Sequence, residues 1–578
     1  MSTLGLDRSG NGNDWIAVNK TIDDQMVDSP TNNFATWNPL HNGDTGTFAE
    51  GNLKLTTGTS TTEGHYSTIA MSGSGKYYAE FLVGTAGTQN MFGIASNVYN
   101  NSGSGFRGGT QYSYALGQGS FWTNGGETGN LTTTFSVGDI FAVAIDLDNN
   151  VWYVARNNTW YNSGNPSAGS NGIAIAANNT YHFSWTFDHD EASGVCTVNF
   201  GQDSSFAGAK TAQGNQDGND IGDFFYAPPT GFLALCTKNL PEPAVDPRNH
   251  FNTVIYTGDG NDDRSITGVG FQPDFVWYKE RSVVRYHGLF DILRGVTNIL
   301  SSNVTDVEET ISGVKSFTTD GFTLGTHVGG NEDGETFVAW NWKAGNANTA
   351  FTESGNNPGG IHRANVAAGF SIVSYTGTGA AGTVAHGLGA APELMLIKNR
   401  DVADEWYVYY GDNTDYLVLD DTDATADNAT AWNDTSPSST VFTVNTSHSV
   451  NADAEKYIAY CWRSIEGFSK IGTYTGNGAV DGIFNYTGFR PAWVMIKRTD
   501  ATNYWLILDD ARPYGNPNFV SLYANLNDVE NTFGNGTGID FVSNGFKHRD
   551  NAASTNADGG TYIFLAFADS PFKYSNGK

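Results

Sequence analysis

The sequence predicts an all-β, multi-domain protein: one larger β-sandwich followed by three tandem, related β-sandwich modules. Three observations lead there. Apolar residues recur at period two or in short blocks, and Gly, Asn, Asp or Ser interrupts them every eight to twelve residues. Helical periodicity is nearly absent. An internal repeat runs through the C-terminal half. With 578 residues, the chain is also too long for one continuous core at about 150 residues per domain.

Composition narrows the class. Acids outnumber bases 60 to 30, for a formal charge of −30, and so anionic a surface repels phosphate and argues against nucleic acid as partner. Hydrophobic residues make up 39%, including 35 Phe, 27 Tyr and 14 Trp, ample for packed cores and contrary to disorder. Cys196, Cys236 and Cys461 are too few and too far apart to read as a disulfide framework or zinc knuckle. Met1–Trp15 has no apolar core for a secretory signal. The longest apolar runs, such as Tyr562–Ala568, are strand-length, so no membrane insertion is expected.

Element by element, residues 1–45 are polar and turn-rich and read as an N-terminal arm, and 46–240 as the larger sandwich. Lys76–Gly84, Ile140–Asp146 and Val151–Ala155 are its clearest strands, rich in β-branched and aromatic residues. Residues 241–250, stiffened by Pro241, Pro243 and Pro247, form a linker. The repeats then occupy 251–345, 369–467 and 468–578, with a Gly/Asn/Pro-rich linker at 346–368. The best helical candidate, Val296–Ser312 between Gly295 and Gly313, is a short excursion inside the first repeat.

Shared offsets define the repeat. Tyr-Thr-Gly begins at Tyr256, Tyr375 and Tyr474, and prolines follow at one offset, Pro273, Pro392 and Pro491. A glycine lies three residues before each proline (Gly270, Gly389, Gly488), and a lysine six after (Lys279, Lys398, Lys497). Trp406 and Trp505 share an offset too, and Phe337–Trp342, Tyr457–Trp462 and Tyr562–Phe567 close the units as aromatic strands. Gly-x-x-Pro reads as a turn at a strand entrance, where proline's missing N–H costs nothing. The apolar block that follows reads as a strand buried on both faces. The lysine reads as its end, with the stem packed and the ammonium lifted into water. Each repeat is expected to be a self-contained sandwich, and the three together a spacer and display rod.

Gly138–Trp160, with Asp148-Asn-Asn150 and Asn157-Asn158 as turns, resembles the SPRY domain, as do Gly75–Phe81 and Phe92-Gly-Ile-Ala95 upstream. That resemblance implies a bent antiparallel, SPRY/lectin-like sandwich whose loops bind protein or glycan, and does not imply catalysis. The chain as a whole resembles virion proteins of tailed bacteriophages. The likeness rests on Asp28–Phe34 leading into Trp37–Leu40, on Pro228–Leu235 leading into Asn239–Pro241, and on Phe317–Leu324 before the first closing strand. It implies a non-enzymatic tail fibre or particle-surface appendage in the virion, made in the bacterial host cytoplasm. Other virion proteins, and a host-surface glycan or protein, are the implied partners, with assembly as a homotrimer. A polysaccharide-degrading tailspike-type enzyme and a cellular SPRY-type interaction protein are the alternatives.

Residue chemistry adds little to that. Gly73-Ser-Gly-Lys76 lacks the first glycine and the Ser or Thr of a phosphate loop. His182 and His189, the nearest histidine pair, fit no zinc spacing. Asp259–Asp263, Asp420–Asp423, Asp509-Asp510 and Asp148 are turn acids that offer oxygen ligands for calcium or paired carboxylates for glycoside cleavage. The expectation is no catalytic residue and no cofactor, with calcium left open. Trp122 and Trp160, beside turns, are the ligand-binding candidates, either stacking on a sugar or plugging the ends of the sandwich.

Overall fold

The computed structural model describes residues 32–40, 46–58, 63–85, 90–96, 113–117, 120–123, 126–128, 135–177, 179–187, 193–243, 245–512, 515–532, 538–571 and 573. Asp28–Thr31, Met1–Trp15 and His189 lie outside them. The chain divides into two compact units, 1–242 and 243–578.

The first unit is a β-sandwich of a nine-stranded and a six-stranded sheet, counted over the described residues. Lys76–Val83, Ile140–Asp146 and Val151–Arg156 sit side by side in the larger sheet, as the sequence predicts. Asn157 and Asn158 take left-handed φ of 48° and 64° between Val151–Arg156 and Thr159–Trp160, the backbone an Asn-Asn hairpin turn requires. Inward residues of the two sheets meet in an aromatic core, with Phe92 and Phe141 stacked at 4.5 Å. Residues 32–40, part of the expected N-terminal arm of 1–45, belong instead to the sandwich core. Trp37 is fully buried and meets Phe81 and Phe200 at 6.0 Å each.

The second unit contains the repeats, and each builds a main sheet with its closing aromatic strand at the centre. Thr336–Trp342 lies between Phe251–Thr257 and Phe275–Glu280. Lys456–Trp462 lies between Phe370–Thr376 and Leu394–Asn399. Thr561–Pro571 lies between Ser469–Thr475 and Phe489–Arg498. A smaller sheet covers the outer face in each repeat. Strand alternation sends Val276, Met395 and Val494 into these three outer cores.

The inner faces have a different fate. Phe275, Trp277, Trp340 and Trp342 of the first repeat share one hydrophobic cluster with Leu394, Leu396, Tyr460 and Trp462 of the second and Trp493, Met495 and Phe567 of the third. Phe275 stacks on Tyr460 at 4.2 Å, and Phe251 on Phe567 at 4.8 Å. The modules are therefore not self-contained units strung as a rod. Their three main sheets back onto a common core, because each strand's second apolar face has no covering sheet within its own repeat.

Two further expectations are corrected. Residues 346–368 are not a linker: Thr349–Phe351 and Gly359–Asn365 add two strands to the second main sheet. Val296–Ser312 is not helical. Asn298–Ile299 pairs with Glu309–Thr310 as a small ribbon, since the segment has no apolar stripe long enough to hold a helix.

The repeated motifs have physical reasons. The Tyr-Thr-Gly rings stack on the first aromatic of the closing strand: Tyr256 on Phe337 at 5.1 Å, Tyr375 on Tyr457 at 5.2 Å, Tyr474 on Tyr562 at 4.8 Å. Their hydroxyls donate to the carbonyls of Gly330, Val450 and Thr555. A Cβ on Gly258, Gly377 or Gly476 would come within 2.1, 2.2 or 2.3 Å of the carbonyl oxygen of Glu332, Ala452 or Ala557, so only glycine fits. Gly270, Gly389 and Gly488 all turn with positive φ, 86°, 70° and 84°. Pro273, Pro392 and Pro491 are all buried. The first two stand just before Phe275–Glu280 and Leu394–Asn399, whereas Pro491 lies inside Phe489–Arg498 at a β-bulge, so the strand-entrance reading is corrected for the third repeat.

Candidate functional site

Trp122 and Trp160 lie on different sheets and are not brought together. Trp160, half-buried, sets its edge against Tyr153 at 6.4 Å, which in turn meets Phe232; the indole helps close that end of the core. Trp122, also half-buried, packs beside Tyr66, Met91, Ala95 and Ala115. A Cβ on Gly117 would come within 3.0 Å of its Nε1, so that glycine makes room for the indole.

The repeated lysines do not reach water. Lys279, Lys398 and Lys497 are each 0% exposed. Their ammonium groups donate to the carbonyls of Glu280 (2.6 Å), Asn399 (2.8 Å) and Arg498 (2.7 Å). Lys398 also donates to Thr305 of the first repeat, and Lys497 to Thr422 of the second, both at 3.1 Å. Burial pushes all three down to about 8. Snorkelling fails because a loop of another repeat lies at each strand end, from the first repeat at Lys398, the second at Lys497 and the third at Lys279.

These lysines belong to joints that recur around the unit. Trp406 Nε1 donates to Ser301 O at 2.9 Å, and Trp505 Nε1 to Val418 O at 2.8 Å. His287 stands at the same offset from its proline, and its Nε2 lies 3.0 Å from Tyr523 O. Trp277 Nε1 donates to His287 Nδ1, so Nε2 carries the proton. The third repeat thus contacts the first as the first contacts the second, and the ring closes. Backbone N–H groups of Asp404, Asn503 and Arg285 donate across the same three joints, to Thr305, Thr422 and Asn527.

Buried Asp–Arg pairs sit at two joints. Asp291 and Arg294 pair with no side-chain exposure, and Tyr460 of the second repeat donates its hydroxyl to Asp291 at 2.8 Å. Asp509 and Arg512 pair at 2.7 Å, equally buried, and Trp340 of the first repeat donates Nε1 to Asp509 at 2.9 Å. At the third joint the corresponding positions hold Tyr410, Asn413 and Leu565. Bidentate pairs rim two joints, Arg400 with Glu308 and Arg281 with Glu530.

The acidic clusters are spent locally. Asp259 pairs with Arg264, Asp262 and Asp263 with Lys315, and Asp420 accepts the Trp406 N–H. Asp148 accepts from Gly75 N. Among the described residues no three His, Cys, Asp or Glu side chains gather as a metal set. Lys76 pairs with Asp146 at 2.8 Å. His182, buried and pushed down to about 4, is neutral. Burial raises the thiols of Cys196, Cys236 and Cys461, away from nucleophilic thiolate.

Sequence reading missed a third repeated polar residue. Asn331, Asn451 and Asn556 each stand six residues before the closing strand's first aromatic. Their side-chain oxygens accept the N–H that follows Tyr-Thr-Gly, at Asp259, Thr378 and Asn477. Their amides donate to two carbonyls apiece. The shared offset was the available signal.

No curated protein matches the chain. Among solved structures, the SPRY domain of human HERC1 is similar at 14% identity and a TM-score of 0.20, over 30% of this chain and 96% of that one. A human SPRY domain is similar at 13% and 0.19, over 25% and 90%. No described helix is long and apolar enough to cross a membrane. Residues 246–571 match a family model described as a domain of unknown function, DUF7483; that span takes in all three repeats and their joints, and the chain belongs to that family.

Proposed function

We propose that the protein is a non-enzymatic structural component of a tailed-phage particle, a fibre or surface appendage that presents a SPRY-like sandwich and a three-repeat head for host attachment or decoration. The observation that carries this reading is the use made of the repeated polar residues. The lysines, the indoles and the Asp–Arg pairs all serve joints between repeats, which makes a rigid display body and leaves them no role at a reacting centre. The virion assignment is supported by the sequence resemblance, and the acidic surface suits a body that must stay clear of released DNA.

Other virion proteins and a host-surface glycan or protein are the proposed partners, and the chain is proposed to assemble as a homotrimer. Gold labelling of a tagged chain on gradient-purified particles tests the assignment. Label on the particle surface is expected; a chain recovered only from the lysate overturns it. Light scattering on the purified protein separates a 62.1 kDa monomer from a species of three times that mass.

A further inference from the structure

The three main sheets differ at one edge. In each, the strand ending in Tyr-Thr lies on that side of the closing strand: Phe251–Thr257, Phe370–Thr376 and Ser469–Thr475. In the second repeat Gly359–Asn365 pairs antiparallel along the whole of it, and Thr349–Phe351 pairs in turn with Gly359–Asn365. In the third, the preceding loop blunts the start of the edge. Ser469 and Ile465 exchange backbone hydrogen bonds, Ile471 N donates to the Ser464 hydroxyl, and Lys470 adds a charge.

The first repeat has neither cover. Among the described residues Phe251–Thr257 pairs with Thr336–Trp342 alone. His250 O accepts from Lys343 N, and Gly258 N donates to Glu335 O. Even-numbered residues therefore bond to the closing strand, and Thr253 and Ile255 turn their N–H and C=O outward. Neither makes a backbone hydrogen bond to another described residue there. Ile255 is 48% exposed. The strand has no charged residue, no proline and no bulge, the devices that keep a free edge from pairing.

The second repeat displays what such an edge takes. Phe251, Val254, Tyr256 and Thr257 recur there as Phe370, Val373, Tyr375 and Thr376. Gly360 stands opposite Tyr375, and Ile361 opposite Ser374, the counterpart of Ile255. Glycine is a geometric requirement, since a Cβ at 360 would come within 2.2 Å of Ser374 O.

We propose that Phe251–Thr257 is a docking edge for an extended, glycine-bearing segment of a partner protein, which joins the first main sheet as an antiparallel strand. Backbone hydrogen bonds to Thr253 and Ile255 attach it, glycine opposite Tyr256 permits the close approach, and an apolar residue opposite Ile255 covers the exposed side chain. A second copy of the same strand fits less well, because Phe251–Thr257 holds no glycine to stand opposite Tyr256. The inference rests on the proposed function only for the source of the segment, another virion protein. It fails independently of particle labelling, since strand binding is read on purified protein.

The test is fluorescence anisotropy of a labelled peptide of residues 356–366, Asn-Asn-Pro-Gly-Gly-Ile-His-Arg-Ala-Asn-Val, titrated with the full chain. Binding with a Kd of about 1 mM or tighter is expected. Ile255→Pro removes one outward N–H and spares the ladder to Thr336–Trp342; it should weaken binding about tenfold while thermal unfolding stays cooperative. Thr473→Pro, at the same place in the third repeat, should leave binding unchanged. In the peptide, Gly360→Val should abolish it. No binding at about 1 mM, binding that survives Ile255→Pro or the peptide substitution, or an equal loss from Thr473→Pro overturns the proposal. A dimer in light scattering that Ile255→Pro dissolves also overturns it, in favour of a second copy.

Discussion

The two units bury their sheets differently. In the first, two sheets face each other, and the outer face of the larger one is covered by Phe34, Phe224, Phe232 and Cys236 of the same unit, so both faces are closed within its own segment. In the second, each main sheet has two apolar faces, and only the outer one is covered within the repeat. The inner faces have to find one another. The contrast teaches that a repeat of domain length need not be a domain. Whether it is depends on where the second face of its central strand goes, and Phe275/Val276, Leu394/Met395 and Trp493/Val494 divide their neighbours between two cores.

The largest effect should come from breaking the ring. Residues 346–467 expressed alone would expose Phe370, Leu396, Trp406 and Trp462, and are expected not to fold. Residues 32–243 are expected to fold, as read by near-ultraviolet circular dichroism and amide dispersion. An independently folded second repeat would restore the view of modules in series.

A smaller effect sharpens the contrast between joint and surface. Arg294→Ala leaves Asp291 buried without its cation and should destabilise the second unit by about 3–5 kcal/mol. Arg498→Ala removes a pair whose partner Asp500 is 37% exposed, and should cost about 0–1 kcal/mol. Urea unfolding of the two variants measures the difference.

The smallest effect is in pH. The folded lysines titrate near 8, below the ordinary 10.5. Between those values the unfolded chain binds more protons, so the stability of the second unit should rise as pH goes from about 8 to about 10. Above that range the buried tyrosines, whose pKa values are raised, begin to oppose it. Lys398→Met should flatten the slope of melting temperature against pH by about a third if the three lysines contribute alike. A slope unchanged by the substitution would mean that the lysine is not the titrating group.

Much of the local structure was legible because it depends on short-range geometry. Gly138–Trp160 reads as strand, turn, strand and turn from its alternation and its Asn pairs, and the closing segments read as strands from their aromatic content; their place at the centre of each main sheet came from the structure. His287 was not legible as the counterpart of Trp406 and Trp505, because it shares their position and hydrogen bond but not their residue type. Lys279, Lys398 and Lys497 were visible as a repeat, yet their burial was not. A strand-end lysine is solvated unless another part of the chain lies over it, and that loop comes from the neighbouring repeat.

The sequence by itself determined the all-β class, the threefold repeat, and the glycines and tyrosines that shape each copy, because period-two burial, positive φ and close backbone approach leave residue-level marks. Only the tertiary structure decided that the three copies close on one core and that their charged and polar residues serve the joints. Those contacts join residues far apart in the chain, Trp340 to Asp509 and Tyr460 to Asp291 among them, and no local pattern encodes which distant surface a buried face will meet.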